Sequence, residues 1–538
     1  LSTDVVRIRT GVYHDSVSLM RVSRAAADLP GVEVAVVAMA TGLNLGIAAD
    51  LGFAPPPPGP SGPAGPGDLL IALRGEADAL EGAVAALDGL LDGLSAPAAG
   101  GAAVEHPPRT VRAAARGRAA TLALVSVPGP HAFAEALDAI EAGLSVMIFS
   151  DNVPVGQEVL LKRRAAERGV LVMGPDCGTA VIGGAGLGFA NVLRPGPVGV
   201  VAASGTGAQQ VTCLLDIAGV GVSHVLGVGG RDLSAEVGAL STLRALEALD
   251  ADPATELIVL ISKPPAPEVA RVVGEAVAGL RTPVVNALLG PVEAGRADLT
   301  SAAEAALRAL GVPVPDWPYW PAPFPFRPVD PSFPSEGPSG DGAPEIAGPS
   351  GGRAEGAGGP GDGAPGTAGP SGGGAEGAGG PRGIYSGGTL CVEARLIAGS
   401  GEFTDFGDDA YTVGRAHPMI DPALRLEALA AVPAGGVALL DVVLGHGADP
   451  DPSARLAPAI AGAVARGVAV VVALVGSEGD PQGLNAQAEA LNAAGAAVFT
   501  SNARAARHAA ELAGAATATD TDTDSTGTAA VTRSGGRP

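Results

Sequence analysis

The turn Ser204-Gly205-Thr206-Gly207 follows the apolar run Val198–Ala202 and precedes a helical stretch through Gln209–Ala218. Glycine lets a backbone approach a ligand closely, and the free N–H groups that open a helix attract anions. With two hydroxyls added, the turn has the parts of a phosphate cradle. The plainer reading, a serine capping an ordinary helix, fits the same residues. The pattern returns in Tyr385-Ser386-Gly387-Gly388-Thr389, in Leu444-Gly445-His446-Gly447 and in Val475-Gly476-Ser477-Glu478-Gly479. Several such turns on parallel strands favour a bound anion, although turns of this kind also simply join strands to helices.

Gly174-Pro175-Asp176-Cys177-Gly178-Thr179 sets a carboxylate and a thiol after the run Val170–Met173. No histidine lies nearby to activate Cys177, so a packed or ligand-lining thiol is the better reading than a nucleophile. Arg231, in Gly229-Gly230-Arg231-Asp232, and Lys263, in Ser262-Lys263-Pro264-Pro265, each put a cation after a buried strand. There Arg231 could grip phosphate bidentately and Lys263 could act as a point charge; an ordinary ion pair is the alternative for each. The segment from Asp405 to Asp421 gathers Asp408, Asp409, Tyr411, Arg415, His417 and Asp421 with no helical or strand period. Such polar density suggests a candidate polar substrate loop, with a hydrogen-bonded loop as its structural counterpart.

These turns need parallel strands beneath them, and the sequence supplies the strands as continuous apolar runs. They are Leu122–Val127, Ser145–Phe149, Val170–Met173, Val198–Ala202, His224–Gly227, Leu257–Ser262 and Pro283–Ala287, separated by Ala-rich helical stretches such as Ala132–Ala142 and Pro267–Gly279. Val437–Leu444, Val468–Val475 and Ala497–Thr500 repeat the scheme. Alternation of this kind predicts α/β domains with sheets covered on both faces. Val5–Arg9, Val32–Ala38 and Leu69–Leu73, with helices through Ser16–Asp28 and Glu76–Leu94, predict a small N-terminal α/β domain over residues 1–100.

Residues 340–360 and 361–381 are near copies of one Gly/Pro-rich segment whose only large apolar side chain is Ile346. Such a segment buries too little to offset its ordering entropy, so it reads as a disordered linker. The predicted divisions are 1–100, 105–195, 196–312, a linker over 313–382, 383–514 and a disordered tail over 515–538. Pro55 to Gly67 reads as a surface loop.

The chain has 538 residues, 47% of them hydrophobic, enough for about three or four domains. Aromatics are only 3%, so the cores must be built from Ala, Val and Leu. A net charge of −23 repels phosphate backbones, which argues against nucleic acid or an anionic membrane as partner and leaves any anion to be bound locally. Cys177, Cys213 and Cys391 show no CxxC spacing, so neither a disulfide framework nor a structural zinc is expected. Apolar runs such as Val468–Val475 are too short to span a bilayer, and a cytoplasmic location is the expectation.

Read together, these stretches resemble the FdrA family, relatives of the succinyl-CoA synthetase α subunit that carry a further C-terminal domain. The resemblance runs through Gly11–Met20, Phe149–Val153, Val172–Thr179, Ala203–Gly207, Gly229–Ser234, Ser262–Pro265 and Tyr411–Asp421. It implies a CoA-binding Rossmann domain over 105–195 and flavodoxin-type, succinyl-CoA-ligase-like domains over 196–312 and 383–514. It also implies phosphate or CoA contacts at Asp176, Cys177, Ser204, Gly205 and Thr206; the turns themselves add Gly178, Gly207, Arg231, Lys263, Gly387, Gly388 and Thr389 as candidates. The family's phosphohistidine should lie downstream of Leu289-Gly290, yet Val292–Leu310 contains no histidine. A complete nucleotide-dependent ligase is therefore not expected.

The resemblance instead implies a subunit of an acyl-phosphate-handling enzyme, with companion chains and an oligomeric state. Its link to oxamate carbamoyl transfer suggests carbamoyl phosphate as substrate, since that molecule is already an acyl phosphate and helix N-termini could hold its departing charge. Two alternatives stand beside this. One is an acyl-CoA synthetase whose nucleotide site lies on a partner; the other is a non-catalytic subunit that binds CoA or a nucleotide. CoA is a candidate ligand, and no tightly bound metal is expected.

Overall fold

The computed structural model describes residues 2–12, 14, 16–56, 64–65, 67–95, 108–292, 295–323, 380–412 and 415–523. The repeats at 340–379, the end of the tail and most of the Pro55–Gly67 loop lie outside the described residues.

Strands Ser2–Arg9, Leu69–Glu76 and Val32–Met39 form an antiparallel sheet in that order. Helices Ser16–Ala27 and Ala77–Ser95 cover one face, burying Leu19, Val22, Leu80 and Leu87 against Leu69, Ile71 and Leu73. The alternation along the central strand puts these odd-numbered residues on one side, as a pleated strand requires. The next unit is a three-stranded parallel sheet, Leu122–Val125, Ser145–Ile148 and Val172–Met173.

Two larger sheets follow, and both have the strand order of a flavodoxin-like fold. In the first, Pro195–Ala202 lies between Leu257–Ser262 and Val222–Gly227, with Val284–Leu288 beyond Leu257–Ser262. In the second, Arg382–Tyr385 lies between Glu402–Asp405 and Val437–Val443, and Ala469–Val475 and Ala497–Phe499 continue the sheet. The chain is thus an α/β protein of several parallel-sheet domains with a small N-terminal domain.

Three boundaries differ from the sequence reading. Strands Thr179–Ile182 and Ala185–Gly188 extend the Pro195–Ala202 sheet in antiparallel fashion, so the domain placed at 105–195 gives its last strands to the next one. The linker placed from 313 begins later, because Trp317 is buried and Tyr319–Trp320 pairs with Ala497–Phe499. Proline richness there marks an edge strand, where missing N–H donors are tolerated. The last helix, Asn502–Thr523, continues past 515.

The two large domains share a core. Val211, Leu214 and Leu215 of helix Gly205–Ile217 and Ala302, Ala303 and Ala306 of helix Leu299–Ala309 pack with Leu390 and Ala394 of helix Gly388–Ala398 and with Ala505 and Ala509. Alanine at these positions lets the helices approach closely, which is how a chain poor in aromatics can still bury a continuous core. Buried polar groups fix the register. The Gln210 amide donates to Thr500 O and its carbonyl accepts from Asn502 N, and Thr300 and Ser501 hydroxyls lie 2.7 Å apart. Glu393 accepts from Leu299 N and from Asn502 Nδ2, each at 2.6 Å.

Burial pushes the Glu393 carboxyl from 4.5 up to about 7. The folded chain therefore holds this proton over a range in which the unfolded chain has released it, so the stabilisation is complete below 4.5 and fades as pH rises to about 7. Urea midpoints measured across this window should fall with rising pH, and less steeply in Glu393→Gln. Identical slopes for the two proteins would contradict the assignment.

Candidate functional site

In an open parallel sheet, ligands bind outside the carboxyl ends of strands where the connections diverge in opposite directions. Both large sheets have such a point, and the two points face each other. In the first domain it lies between Pro195–Ala202, which leads into helix Gly205–Ile217, and Leu257–Ser262, which leads into Lys263. In the second it lies at Arg382–Tyr385, which leads into helix Gly388–Ala398.

Ser204 is the N-cap of the first helix, its hydroxyl accepting from Gly207 N at 2.9 Å. Gly207 is dictated by this cap, since a β-carbon there would sit 2.6 Å from Ser204 Oγ. Both readings of the turn therefore remain joined: the serine caps, and the amides it leaves over still open the helix. Thr206 faces the second domain, where a β-carbon on Gly387 would meet its Oγ1 at 2.6 Å. A β-carbon on Gly388 would lie 2.5 Å from Asp405 Oδ2 and 2.9 Å from Lys263 Nζ. Two helix N-termini, a lysine and a carboxylate thus converge at a place where the second domain supplies two glycines. Such close approach is what the missing side chains permit.

Beneath the second helix, Asp441 accepts from Ser386 N at 2.7 Å, from Ser386 Oγ at 3.0 Å and from Gly387 N. Arg425 donates to the same carboxylate at 3.0 Å, and both side chains are almost fully buried, at 3% and 0% exposure. Arg425 Nε has no partner among the described residues, and Arg425 lines a cavity of about 20 Å³ together with Ser386, Met419 and Asp449. That space suits a single water.

Asp405 ends its strand and accepts from Gly407 N at 2.9 Å. Burial pushes its carboxyl up to about 6, against the Gly407 amide and Lys263, which pull the other way. His417 packs on Phe189 with ring centroids 5.5 Å apart and accepts from Met419 N through Nδ1 at 3.2 Å. Its Nε2 would be 3.0 Å from a β-carbon on Gly407, and Asp405 Oδ1 would be 3.2 Å from the same point. Burial, with Arg425 as a lesser cause, holds His417 down to about 4, so the ring is neutral at pH 7.

The remaining candidates fall elsewhere. Arg231 is committed to Glu158 Oε2 at 3.0 Å and to Val153 O at 2.8 Å, the ion-pair alternative rather than the phosphate grip. Its partner Glu158 belongs to a buried group in which Lys162 reaches Glu158 and Asp232, each at 2.7 Å, and Val228 O at 3.0 Å. Cys177 is buried, its thiol pushed up to about 12 by burial, and its sulfur faces Gly227. Asp176, at φ 58, sits beside Gly230, 3.8 Å from where its β-carbon would be. Gly178 O accepts from Phe189 N, and Thr179 lies near Gly205. Thr389 is buried in the first turn of its helix.

Within the polar loop, Asp408 caps the short helix Asp409–Thr412, accepting from Ala410 N, and Tyr411 packs on Phe406 at 5.0 Å. Arg415 is exposed, and the side chain of Asp409 lies outside the described part of the structure. Asp421 binds Arg24 of the N-terminal domain at 2.8 Å and Arg455 at 2.7 Å. Of the named candidates in this loop, Asp408, whose amide donates to Asp405 O, and His417 stand beside Asp405. Asp405 itself, Asp441 and Arg425 are members the sequence reading did not single out. The available signal was the position of Asp441 within the apolar run Val437–Val443, which ends in a Gly turn.

A family model described as AllF, heavy metal-associated domain, matches residues 2–107, and one described as CoA-ligase matches residues 384–512. The whole chain is similar to the uncharacterized protein YahF of Escherichia coli K12, with 35% identity over 542 residues covering 92% of this chain and 96% of that protein. It is also similar to the mitochondrial alpha-2 subunit of ADP-forming succinate--CoA ligase from Trichomonas vaginalis, 32% identical over 149 residues. That match covers 27% of this chain and 47% of the relative, so about half of the relative's length is represented. Among solved structures, the dinucleotide-forming acetyl-coenzyme A synthetase 1 of Ca. Korarchaeum cryptofilum, in complex with phosphate and ADP, covers 78% of this chain and 87% of its own. The two share 16% identity with a TM-score of 0.29.

Residues 2–107 contain no cysteine, and among the described residues no three His, Cys, Asp or Glu side chains are placed to hold an ion. The residues present do not fit a soft heavy metal, which prefers thiolate ligands. No described helix is long and apolar enough to cross a membrane.

Proposed function

The chain belongs to the family of YahF and, through its CoA-ligase domain, to the succinyl-CoA synthetase-like superfamily; from that premise we propose that it is an FdrA-type enzyme subunit that handles an acyl phosphate, with carbamoyl phosphate as substrate and a carbamoyl acceptor such as oxamate. The observation that supports this most is the meeting of two helix N-termini at Thr206 and Gly387, with Lys263 beside them. Opposed helix ends and a lysine suit a phosphate whose charge grows as it leaves. The absence of histidine from Val292–Leu310 favours a substrate already phosphorylated.

The roles follow from position. The amides after Ser204 and after Gly387, with Thr206 and Lys263, bind the phosphate. Gly388 keeps a side chain out of its way, while Gly205 makes room for Thr179 and Gly207 for the Ser204 cap. Asp176, Cys177 and Gly178 belong to the neighbouring rim, where CoA would lie if it binds. Companion subunits supply what this chain lacks.

A second reading keeps acyl-CoA synthesis, with the nucleotide site on a partner, and it is favoured by the CoA-ligase match over 384–512. The two readings separate in one assay. The purified chain with its companions should release inorganic phosphate from carbamoyl phosphate when the acceptor is added, without nucleotide. Thioester formation that requires a nucleoside triphosphate, an acid and CoA together would overturn the first reading in favour of the second.

A further inference from the structure

Two groups beside the converging helices are not needed to hold a phosphate. Asp405 Oδ1 is occupied by the Gly407 amide, while Oδ2 stands at Gly388 with Lys263 Nζ. His417 takes the Met419 amide on Nδ1, which leaves the proton on Nε2. Among the described residues nothing accepts from Nε2, and both Nε2 and Asp405 Oδ1 lie on the same side of Gly407. A carboxylate without a proton and an imidazole with one to donate therefore pack side by side against Gly407, with Ser386 O beside them.

We propose that Asp405 is the general base and His417 the neutral hydrogen-bond donor of the acyl-transfer step, an assignment that rests on the acyl-phosphate reading above. A nucleophile carrying an N–H or S–H attacks the carbonyl carbon of the acyl phosphate. The new bond to carbon forms, the bond from that carbon to the phosphate oxygen breaks, and inorganic phosphate leaves with the bonding pair. The nucleophile's proton passes to Asp405. His417 Nε2–H donates to the acyl oxygen as negative charge builds on it.

The surroundings suit both roles. Asp405 is faced by Lys263 from the first domain, Asp441 from another strand of its own sheet, Cys391 from the Gly388 helix, Asp408 from its own loop, and His417. Their balance with burial brings its carboxyl to about 6, close to where a base for work near neutrality should lie. His417 is faced by Arg425 and Asp405, and its low basicity keeps it a donor that is neutral rather than cationic.

Two measurements test the assignment on the full chain with its companions. In the pH profile of kcat/KM, the unmodified protein should show an acidic limb near 6. Asp405→Asn should lose that limb and about a hundredfold or more in kcat, the usual contribution of a positioned base. His417→Gln should keep the limb and lose about tenfold or more in kcat. The second measurement needs no turnover. Carbamoyl phosphate binding near pH 6.5, followed by calorimetry in buffers of different ionisation enthalpy, should take up a fraction of a proton in the unmodified chain and none in Asp405→Asn. If binding persists while Asp405→Asn keeps its turnover, its limb and its proton uptake, this assignment falls and the phosphate site stands. If the unmodified chain does not bind carbamoyl phosphate, the site and the assignment fall together.

Discussion

Asp441→Ala should lower the stability of the folded chain by about 3–5 kcal/mol, the usual cost of removing one member of a buried ion pair. The substitution strands the Arg425 guanidinium at 3% exposure and takes the acceptor from Ser386 N and Gly387 N. An unpaired buried cation is the larger loss, and the two amides add to it. Urea unfolding should show an earlier midpoint for the C-terminal sheet. Asp441→Leu combined with Arg425→Met should recover much of the difference, because no charge is then left without a partner. A single Asp441→Ala variant as stable as the unmodified chain would show that the pair does not support this part of the fold. The ligand site should follow the pair, since these same amides fix where the Gly388 helix begins.

Much of the fold could be read along the chain. Leu257–Ser262, Val437–Val443 and Ala469–Val475 are apolar at nearly every position because both faces of their sheets are covered, and that makes a strand legible without partners. Tyr319–Trp320 was not legible, because the prolines around it read as linker and only the edge of a distant sheet gives it a partner. The short hairpin 179–188 is Gly-rich and was hidden for a similar reason. It pairs with Val222–Gly227, which comes later in the chain.

The site was half legible. Ser204, Thr206, Gly387, Gly388 and Lys263 stand in turns after strands, and that local form announces them. What no local form conveys is that Thr206 touches Gly387, or that Asp405 and Lys263 meet at Gly388. Arg231 shows the reverse error. Its turn looks like an anion grip, but Glu158 and Val153 arrive from an earlier helix and loop and claim the guanidinium. A cation after a strand announces a charge and not its partner.

Ser204→Asp isolates the electrostatics of the site, because aspartate is as good an N-cap as serine and the helix Gly205–Ile217 should start where it does now. It adds a negative charge where the phosphate is expected. Like unit charges a few ångströms apart near a protein surface repel by about 4 kcal/mol, so affinity for a phosphate should fall by about a hundredfold or more. The most direct test of the acyl-phosphate site is therefore calorimetric titration of the purified chain with carbamoyl phosphate, and separately with CoA, each repeated with Ser204→Asp. Carbamoyl phosphate should bind the unmodified chain and be lost from the variant. Carbamoyl phosphate binding that survives Ser204→Asp unchanged, or binding of CoA alone, would contradict it.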